Sequence, residues 1–445
     1  MTGSHSSSWR EHLGVLTERN FRLFFTGYST SLVGAAMVPV ALTFAVLQEG
    51  GSTNDVGYVL AAQTVPLVAL LLAGGVLADR LPRKAVMVSA DLVRCGSQLL
   101  LAVLLITGSP PLWVFMVLAG VLGAGQALFN PALTGLIPQV SSPGRLQDAN
   151  ALRGLAGSTG QIIGPAAAGL IVAVGGAGWA IAIDAATYAV SAYCLARLRL
   201  PTGGVPSSQT FLSQLRAGWQ EFRSRTWLWV IVLQFSLFHL VAYAPFMVLG
   251  AVVARTSLGG ATAWGLILTA QGVGALVGGL AVLSVRPTRP LVVATLGTVM
   301  FALPTALLAI PASTPLIAAA AAVSGAGMAV FAALWDTSLQ REVPAVALSR
   351  VSAYDWLGST ALIPIGYAVA GPLAAALGVS GALWLAVAWM IASTVAVLAV
   401  PSVRHLSSPA DGAGTSEDLG GPQPAPAPPP VDPPTLPPAS TGRVR

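Results

Sequence analysis

Residues 56–107 read VGYVLAAQTVPLVALLLAGGVLADRLPRKAVMVSADLVRCGSQLLLAVLLIT. Two apolar runs, 56–77 and 86–107, flank the polar knot Gly75-Val76-Leu77-Ala78-Asp79-Arg80-Leu81-Pro82-Arg83-Lys84. At 1.5 Å per residue, about 20 apolar residues cross the hydrocarbon core of a bilayer. Each run meets that length, and the knot between them carries the basic side chains that stay on the cytoplasmic side. The stretch predicts two membrane-spanning helices joined by a short inner turn.

The same alternation continues in both directions. Further apolar runs lie near 21–47, 112–137, 154–174 and 179–198, and, after a polar gap, near 227–251, 263–285, 290–310, 315–335, 353–377 and 381–401. The expectation is an all-α integral membrane protein of twelve transmembrane helices. Composition agrees: of 445 residues, 55% are hydrophobic and only 9% charged, with a mean hydropathy of +0.76. An ordinary soluble domain carries about a quarter charged residues. A soluble, nucleic-acid-binding or wholly disordered chain is thereby excluded. Cys95 and Cys194 both lie in apolar runs and form no disulfide framework. Residues 1–20 have no long apolar core or cleavage-like site, so a removable signal peptide is not expected.

The basic residues orient the chain. With Met1 inside, 20 of the 22 fall on the cytoplasmic side; only Arg255 falls in an outward loop, and Arg94 lies inside the third span. Both termini are expected in the cytoplasm, in the inner membrane, and the bias accounts for the net charge of +6 without an anionic partner. The resulting organisation is a cytoplasmic segment 1–20, a six-helix bundle 21–199, a linker 200–226, a second bundle 227–403 and a tail 404–445. In the linker, Phe211, Leu212, Leu215, Trp219 and Phe222 recur at three- and four-residue spacing. This predicts a short amphipathic helix on the inner membrane surface, with Arg216, Arg223 and Arg225 toward the headgroups. The Pro-, Gly- and Ser-rich tail cannot bury enough apolar surface to fold.

The two bundles carry matching features. Ile137-Pro138 matches Val343-Pro344, Gly164-Pro165 matches Gly371-Pro372, and Gly74-Gly75 matches Gly278-Gly279, at offsets of 206, 207 and 204 residues. Near-constant offsets at equivalent span positions indicate a duplicated six-helix unit. Two such repeats place a cavity at their interface, opened to alternate sides by rocking.

The knot 75–84 resembles the signature loop of the major facilitator superfamily, G-x-L-A-D-R-x-G-R-K, departing from it at Pro82. Asn20-Phe21-Arg22-Leu23, Asp91-Leu92-Val93-Arg94 and Leu146-Gln147-Asp148-Ala149-Asn150 resemble its drug:proton antiporter branch, which includes macrolide-efflux and siderophore-exporter relatives. The resemblance covers roughly residues 18–402 and implies the major facilitator fold. It also implies a conformational latch built from Gly75, Asp79, Arg80, Arg83 and Lys84, with Asp79 facing the N-terminus of span eleven near 350–353. Gly160-Gln161-Ile162-Ile163-Gly164-Pro165 with Ala168-Gly169 resembles the exporters' antiporter motif, so Gly160, Gly164, Pro165 and Gly169 are expected to let helices bend and pack closely. The arginine that the drug-antiporter pattern places in span four is Ala119 here.

Charged residues at bilayer depth cost several kcal/mol unless paired. Asp91 and Arg94 share a helix face and read either as a neutralising structural pair or as a proton-responsive one. Asp184, with no obvious local partner, and Asp355 complete the candidates for proton coupling; Asp355, like Asp336, also reads as a charge latch near a cytoplasmic helix end. In this superfamily the cavity is lined by spans one, four, seven and ten. These offer Tyr28 and Ser31; Gln126 and Asn130; Gln234, His239 and Tyr243; and Met328, Phe331 and Trp335. Aromatics and Met with few charges suit a bulky, weakly polar ligand, whereas the same stripes also serve as helix-packing core. His239 reads as a titrating imidazole or as a hydrogen-bonded core histidine.

No catalytic constellation, metal-ligand spacing or Walker-type phosphate loop occurs, so neither an enzyme nor a bound cofactor is expected. The sequence points to a monomeric secondary exporter of hydrophobic or amphipathic small molecules, driven by proton influx. Export of one endogenous metabolite, such as a siderophore, is the second reading. A membrane scaffold or receptor is the non-transport reading, and a nutrient importer would need a denser set of hydrogen-bonding side chains.

Overall fold

The computed structural model describes residues 13–200, 211–284, 287–310 and 312–406; the side chains of 71–80, 143, 211–217, 345, 346 and 349 lie outside the described set. The expected Pro-rich tail from 407 onward and the first twelve residues also lie outside it. Six long helices come first: α1 (Arg19–Gln48), α2 (Thr53–Arg80), α3 (Arg83–Thr107), α4 (Leu112–Val140), α5 (Leu146–Gly175) and α6 (Ala177–Ala196). After the linker helix Phe211–Ser224 come α7 (Thr226–Leu258), α8 (Ala261–Val282), α9 (Pro290–Ala309) and α10 (Thr314–Glu342). The remaining chain is α11 (345–377) and α12 (379–399), separated at Gly378, whose φ of 74° only glycine adopts freely. The architecture is all-helical, two bundles of six membrane-length helices, as the sequence predicts.

Prolines lie beside three of the irregularities, whereas a second π turn in α7, Ala254–Leu258, ends at Gly259 with φ 95°. A π turn, His239–Tyr243, interrupts α7 just before Pro245, whose ring nitrogen cannot donate into the helix. The same cause parts α9 before Pro304 and α11 before Pro364. Four elements extend well past their apolar runs. The helix α5 begins at Leu146 rather than near 154, α7 continues to Leu258 rather than 251, α10 continues to Glu342 rather than 335, and α11 begins at Ala345 rather than near 353.

The apolar cores show how the bundles meet. At the end of the molecule that holds the 49–52 and 259–260 turns, one continuous core takes residues from both bundles, including Met37 and Phe44 of α1 and Phe246 of α7. At the opposite end the cores are separate. One, around Phe21, Met87 and Leu136, belongs to α1, α3 and α4 with the residues beside them; the other, around Trp227, Leu291 and Trp335, belongs to α7, α9 and α10. The bundles are joined at one end and parted at the other.

The linker helix, expected as amphipathic, touches α11 at its C-terminal end. Its Phe222 is buried, and Trp219 and Phe222 set their rings 5.5 and 6.0 Å from that of Tyr354 on α11. Gly218 lies against Arg350, where a Cβ would meet Arg350 Cβ at 2.7 Å. The described end of its apolar side, Trp219 and Phe222, therefore packs on the start of α11. Burial against protein removes that surface from water as a membrane interface would, and aromatic pairing adds to it. Arg216 lies outside the described side chains, while Arg225 pairs with Glu221 and donates to the Glu342 carbonyl at 3.0 Å.

Candidate functional site

Three features of the bundles bear on transport. The first is a buried polar cluster inside the first bundle. Asp91, Arg94 and Gln98 lie three and four residues apart on one face of α3, and Asp184, Tyr188 and Ser191 repeat four and three apart on α6. The two stripes face each other, so their polar groups meet out of contact with water. Arg94 pairs with Asp91 through a guanidinium nitrogen, and its guanidinium lies 4.3 Å from the Phe129 ring centroid and 4.4 Å from that of Tyr188. Gln98 Nε2 donates to Asp184 Oδ2 at 2.8 Å. Asp184 is only 1% exposed, and its Oδ1 meets no hydrogen-bond donor among the described residues. Neighbouring glycines make the room: a Cβ on Gly125 would stand 2.7 Å from Arg94 Cγ, and one on Gly34 would stand 2.6 Å from Asp184 Oδ1. Two carboxylates thus share one arginine in a buried site.

Asp184 therefore has partners after all, Gln98 and the field of Arg94, both 86 or more residues away along the chain. Asp355 does not join this cluster. It lies on α11 in the second bundle, where it accepts from Trp335 Nε1 at 3.0 Å and from Ser359 Oγ at 3.4 Å.

The second feature is a cavity of about 130 Å³ between α7, α10 and α11, lined by Phe235, Phe331, Trp335, Asp355, Trp356 and Ser359 together with Ile231 and Val232. Of the residues expected to line a substrate cavity, Phe331 and Trp335 lie in the wall of this one. His239 stands behind the wall. Its Nδ1 donates to two carbonyl oxygens, Phe235 at 2.9 Å and Ser359 at 2.8 Å, tying α7 to α11. Tyr243 packs on His239 with ring centroids 5.4 Å apart, and Met328 packs on the shared core. Gln234 turns elsewhere, into a crevice with Thr298, Met390, Ser393 and Thr394 inside the second bundle. In the first bundle, Tyr28 stacks on Phe24 at 5.5 Å and lies within the field of Arg153 on α5, a neighbour the sequence did not single out. Ser31 Oγ is used within its own helix, donating to the Tyr28 carbonyl at 3.0 Å, and Gln126 and Asn130 are half-buried.

The third feature is the glycine seam of α5. Gly160 and Gly164 face α1, where a Cβ on Gly164 would stand 2.5 Å from that of Ala36. Gly169 faces α8 in the other bundle, where a Cβ would stand 2.7 Å from the Ala261 carbonyl oxygen. Gly265 and Gly272 of α8 answer it: the Pro165 carbonyl touches the first, and the Gln161 carbonyl would lie 2.8 Å from a Cβ on the second. Absent side chains let the two backbones meet, and Thr269 Oγ1 adds a hydrogen bond to the Ile162 carbonyl at 3.2 Å. The motif that the sequence marks as close-packing thus meets α1 of its own bundle through Gly160 and Gly164 and α8 of the other bundle through Gly169.

At the parted end, Arg83 Nη1 donates to the Gly135 carbonyl at 2.5 Å, and Lys84 Nζ donates to the Leu198 carbonyl at 2.8 Å, binding the 81–84 turn to α4 and to the end of α6. The side chains of Gly75, Asp79 and Arg80 lie outside the described residues.

The family model described as transmembrane secretion effector matches residues 11–413, nearly the whole chain. The chain belongs to this family of the major facilitator superfamily. It is 28% identical over 393 residues to the multidrug efflux pump Tap of Mycolicibacterium fortuitum, covering 85% of this chain and 94% of that protein. It is 29% identical over 375 residues to the enterobactin exporter EntS of Salmonella typhi, covering 83% and 89%. With macrolide efflux protein A of Streptococcus pyogenes it shares 26% over 228 residues, 51% of this chain and 56% of that one. Solved structures share the fold: the nucleoside transporter NupG superposes with a TM-score of 0.68 over 86% of this chain and 98% of NupG, at 13% identity. A bacterial homologue of the iron transporter ferroportin, in an inward-facing state, gives 0.65 over 86% and 98%, at 16% identity. As a major facilitator the protein is a multi-pass membrane transporter, and not an enzyme.

Gln98, Phe129, Tyr188, Trp356 and Ser359 are among the site residues that the sequence does not single out. The signal for two of them was present. Gln98 lies seven residues after Asp91 and Tyr188 four after Asp184, each on the face of its helix that carries the charge.

Proposed function

We propose that this major facilitator exports amphipathic small molecules from the cytoplasm by alternating access, driven by proton influx. The observation that carries the coupling is the buried Asp91–Arg94–Asp184 cluster, in which one arginine serves two carboxylates. At bilayer depth the surplus negative charge is costly, so the cluster has a place for one proton. Asp184 Oδ1 is the oxygen that takes it. Breathing of α3 against α6 changes how closely Arg94 approaches and so when the proton leaves. Arg94 also supplies a buried cation in the bundle where Ala119 replaces the family pattern's arginine.

The moving bodies in this reading are the repeats 21–199 and 227–403, which rock about the α5–α8 seam. With the arginine-rich ends in the cytoplasm, both termini lie inside, the parted end faces inward, and the 75–84 turn latches the opposite state through Asp79, Arg80, Arg83 and Lys84. The efflux relatives support the export direction, and their bacterial sources support the inner membrane. The enterobactin exporter keeps a dedicated metabolite substrate as the second reading.

The test is efflux by purified protein in proteoliposomes under an imposed pH gradient. Asp184→Asn is expected to abolish gradient-driven transport and to leave substrate binding unchanged. Continued concentration of substrate by both Asp184→Asn and Asp91→Asn would move coupling elsewhere.

A further inference from the structure

We infer that the cavity between α7, α10 and α11 is a cage for a tertiary or quaternary alkylammonium group, with Asp355 as its counter-charge. The inference rests on the export reading and names its substrate class: an apolar body carrying one such cationic head.

The walls are aromatic and continuous. Phe235 and Phe331 stack with centroids 4.3 Å apart, and Phe331 and Trp335 are nearly parallel at 6.0 Å. Trp356, 41% exposed, borders the opening. Asp355 is the cavity's one lining charge. Its donors are neutral, the Trp335 indole and the Ser359 hydroxyl, which fix its orientation without cancelling its charge. The charge acting on Asp355 is another carboxylate, Asp336. A carboxylate in a membrane span calls for a cation, and none of the described residues pairs one with Asp355.

Size and chemistry narrow what that cation is. At about 130 Å³ the space approaches the roughly 150 Å³ that accepts a benzene ring and falls short of the roughly 300 Å³ at which drug-sized sites begin. A head group enters while the body of the ligand stays outside. Aromatic faces attract a diffuse ammonium by its charge alone. A methylated ammonium needs few or no hydrogen-bond acceptors, which suits a lining that is aromatic and aliphatic apart from Asp355 and Ser359. A guanidinium or primary amine, with five or three N–H donors, would leave most of them facing apolar walls.

The experiment is equilibrium binding to the purified full-length protein in a neutral detergent, without any gradient. The probes are radiolabelled phenyltrimethylammonium and its uncharged isostere tert-butylbenzene. Saturable binding of the cation is expected, weakened at least about tenfold by Asp355→Asn and nearly retained by Asp355→Glu, since a desolvated ion–aromatic contact and its counter-ion are worth that factor. The Asn oxygen still accepts from Trp335, and an unchanged thermal melt certifies the fold. Trp356→Leu should weaken the cation several-fold. Absent cation binding, cation binding indifferent to Asp355→Asn, or equal affinity for tert-butylbenzene overturns the cage. Charge-dependent binding by a protein that fails to move any substrate in proteoliposomes would uphold the cage and overturn the export reading instead.

Discussion

Removing one carboxylate at a time from the buried cluster should have unequal consequences for stability. Asp91→Asn leaves the Arg94 guanidinium, 4% exposed, without its direct ion pair. Breaking a buried pair by deleting one partner costs about 3–5 kcal/mol, because the remaining charge is uncompensated. Arg94 keeps the Phe129 and Tyr188 ring faces and the more distant Asp184, so the low end, about 3 kcal/mol, is expected. Asp184→Asn removes the surplus carboxylate instead. The new amide still accepts from Gln98 Nε2 and offers a donor to Gln98 Oε1, which has no partner among the described residues. Its stability should stay within about 1 kcal/mol of the parent, the scale of one hydrogen bond. The assay is reversible unfolding of the purified protein in mixed micelles titrated with sodium dodecyl sulfate. Adding Arg94→Leu to Asp91→Asn should recover much of the loss, since no charge then stays buried and unpaired. Equal losses in Asp91→Asn and Asp184→Asn, or no loss in either, would refute the view of two carboxylates sharing one arginine.

Gly265→Val puts a side chain against the Pro165 carbonyl and within 3.0 Å of Gly169 Cα. It should part the joined end, lengthening by several ångströms the electron–electron distance between spin labels at Ser52 and Ser257; an unchanged distance would mean that the seam does not hold the bundles together. Gly135→Leu fills the space that the Arg83 guanidinium occupies and should lower transport while expression persists, as should Asp79→Asn; full activity in both would reduce the 75–84 turn to a topological signal. Reporters fused after Ser284 and His405 should read cytoplasmic and one after Gly259 periplasmic. The opposite pattern would invert the inward-facing assignment.

Spans and motif positions were legible in the sequence because each is a local property. A helix in lipid must satisfy its backbone within itself, so a run of about 20 apolar residues suffices to announce it. The arginine bias and the duplicated offsets are likewise written along the chain. Helix ends were less legible where polar residues continue a helix beyond the hydrocarbon. The helix α5 gains a turn and more through Leu146–Asn150, residues that hydropathy alone assigns to a loop.

What the tertiary structure decided is which stripes face each other. Asp91 and Arg94 could be paired from their spacing, being one turn apart on one helix. Asp184 could not be joined to them, because its partner Gln98 lies 86 residues earlier and the meeting depends on how α3 and α6 pack. The same holds for Asp355, a charge near a helix end in the sequence, whose surroundings of Phe235, Phe331 and Trp335 come from two other helices. It holds also for the linker helix, whose amphipathic pattern is equally satisfied by a membrane surface or by Tyr354. Periodicity fixes which face of a helix is apolar or charged, whereas the partner of that face is chosen by packing between segments far apart in the chain. In this protein the buried charge cluster, the aromatic cavity and the seam between bundles all sit at such contacts.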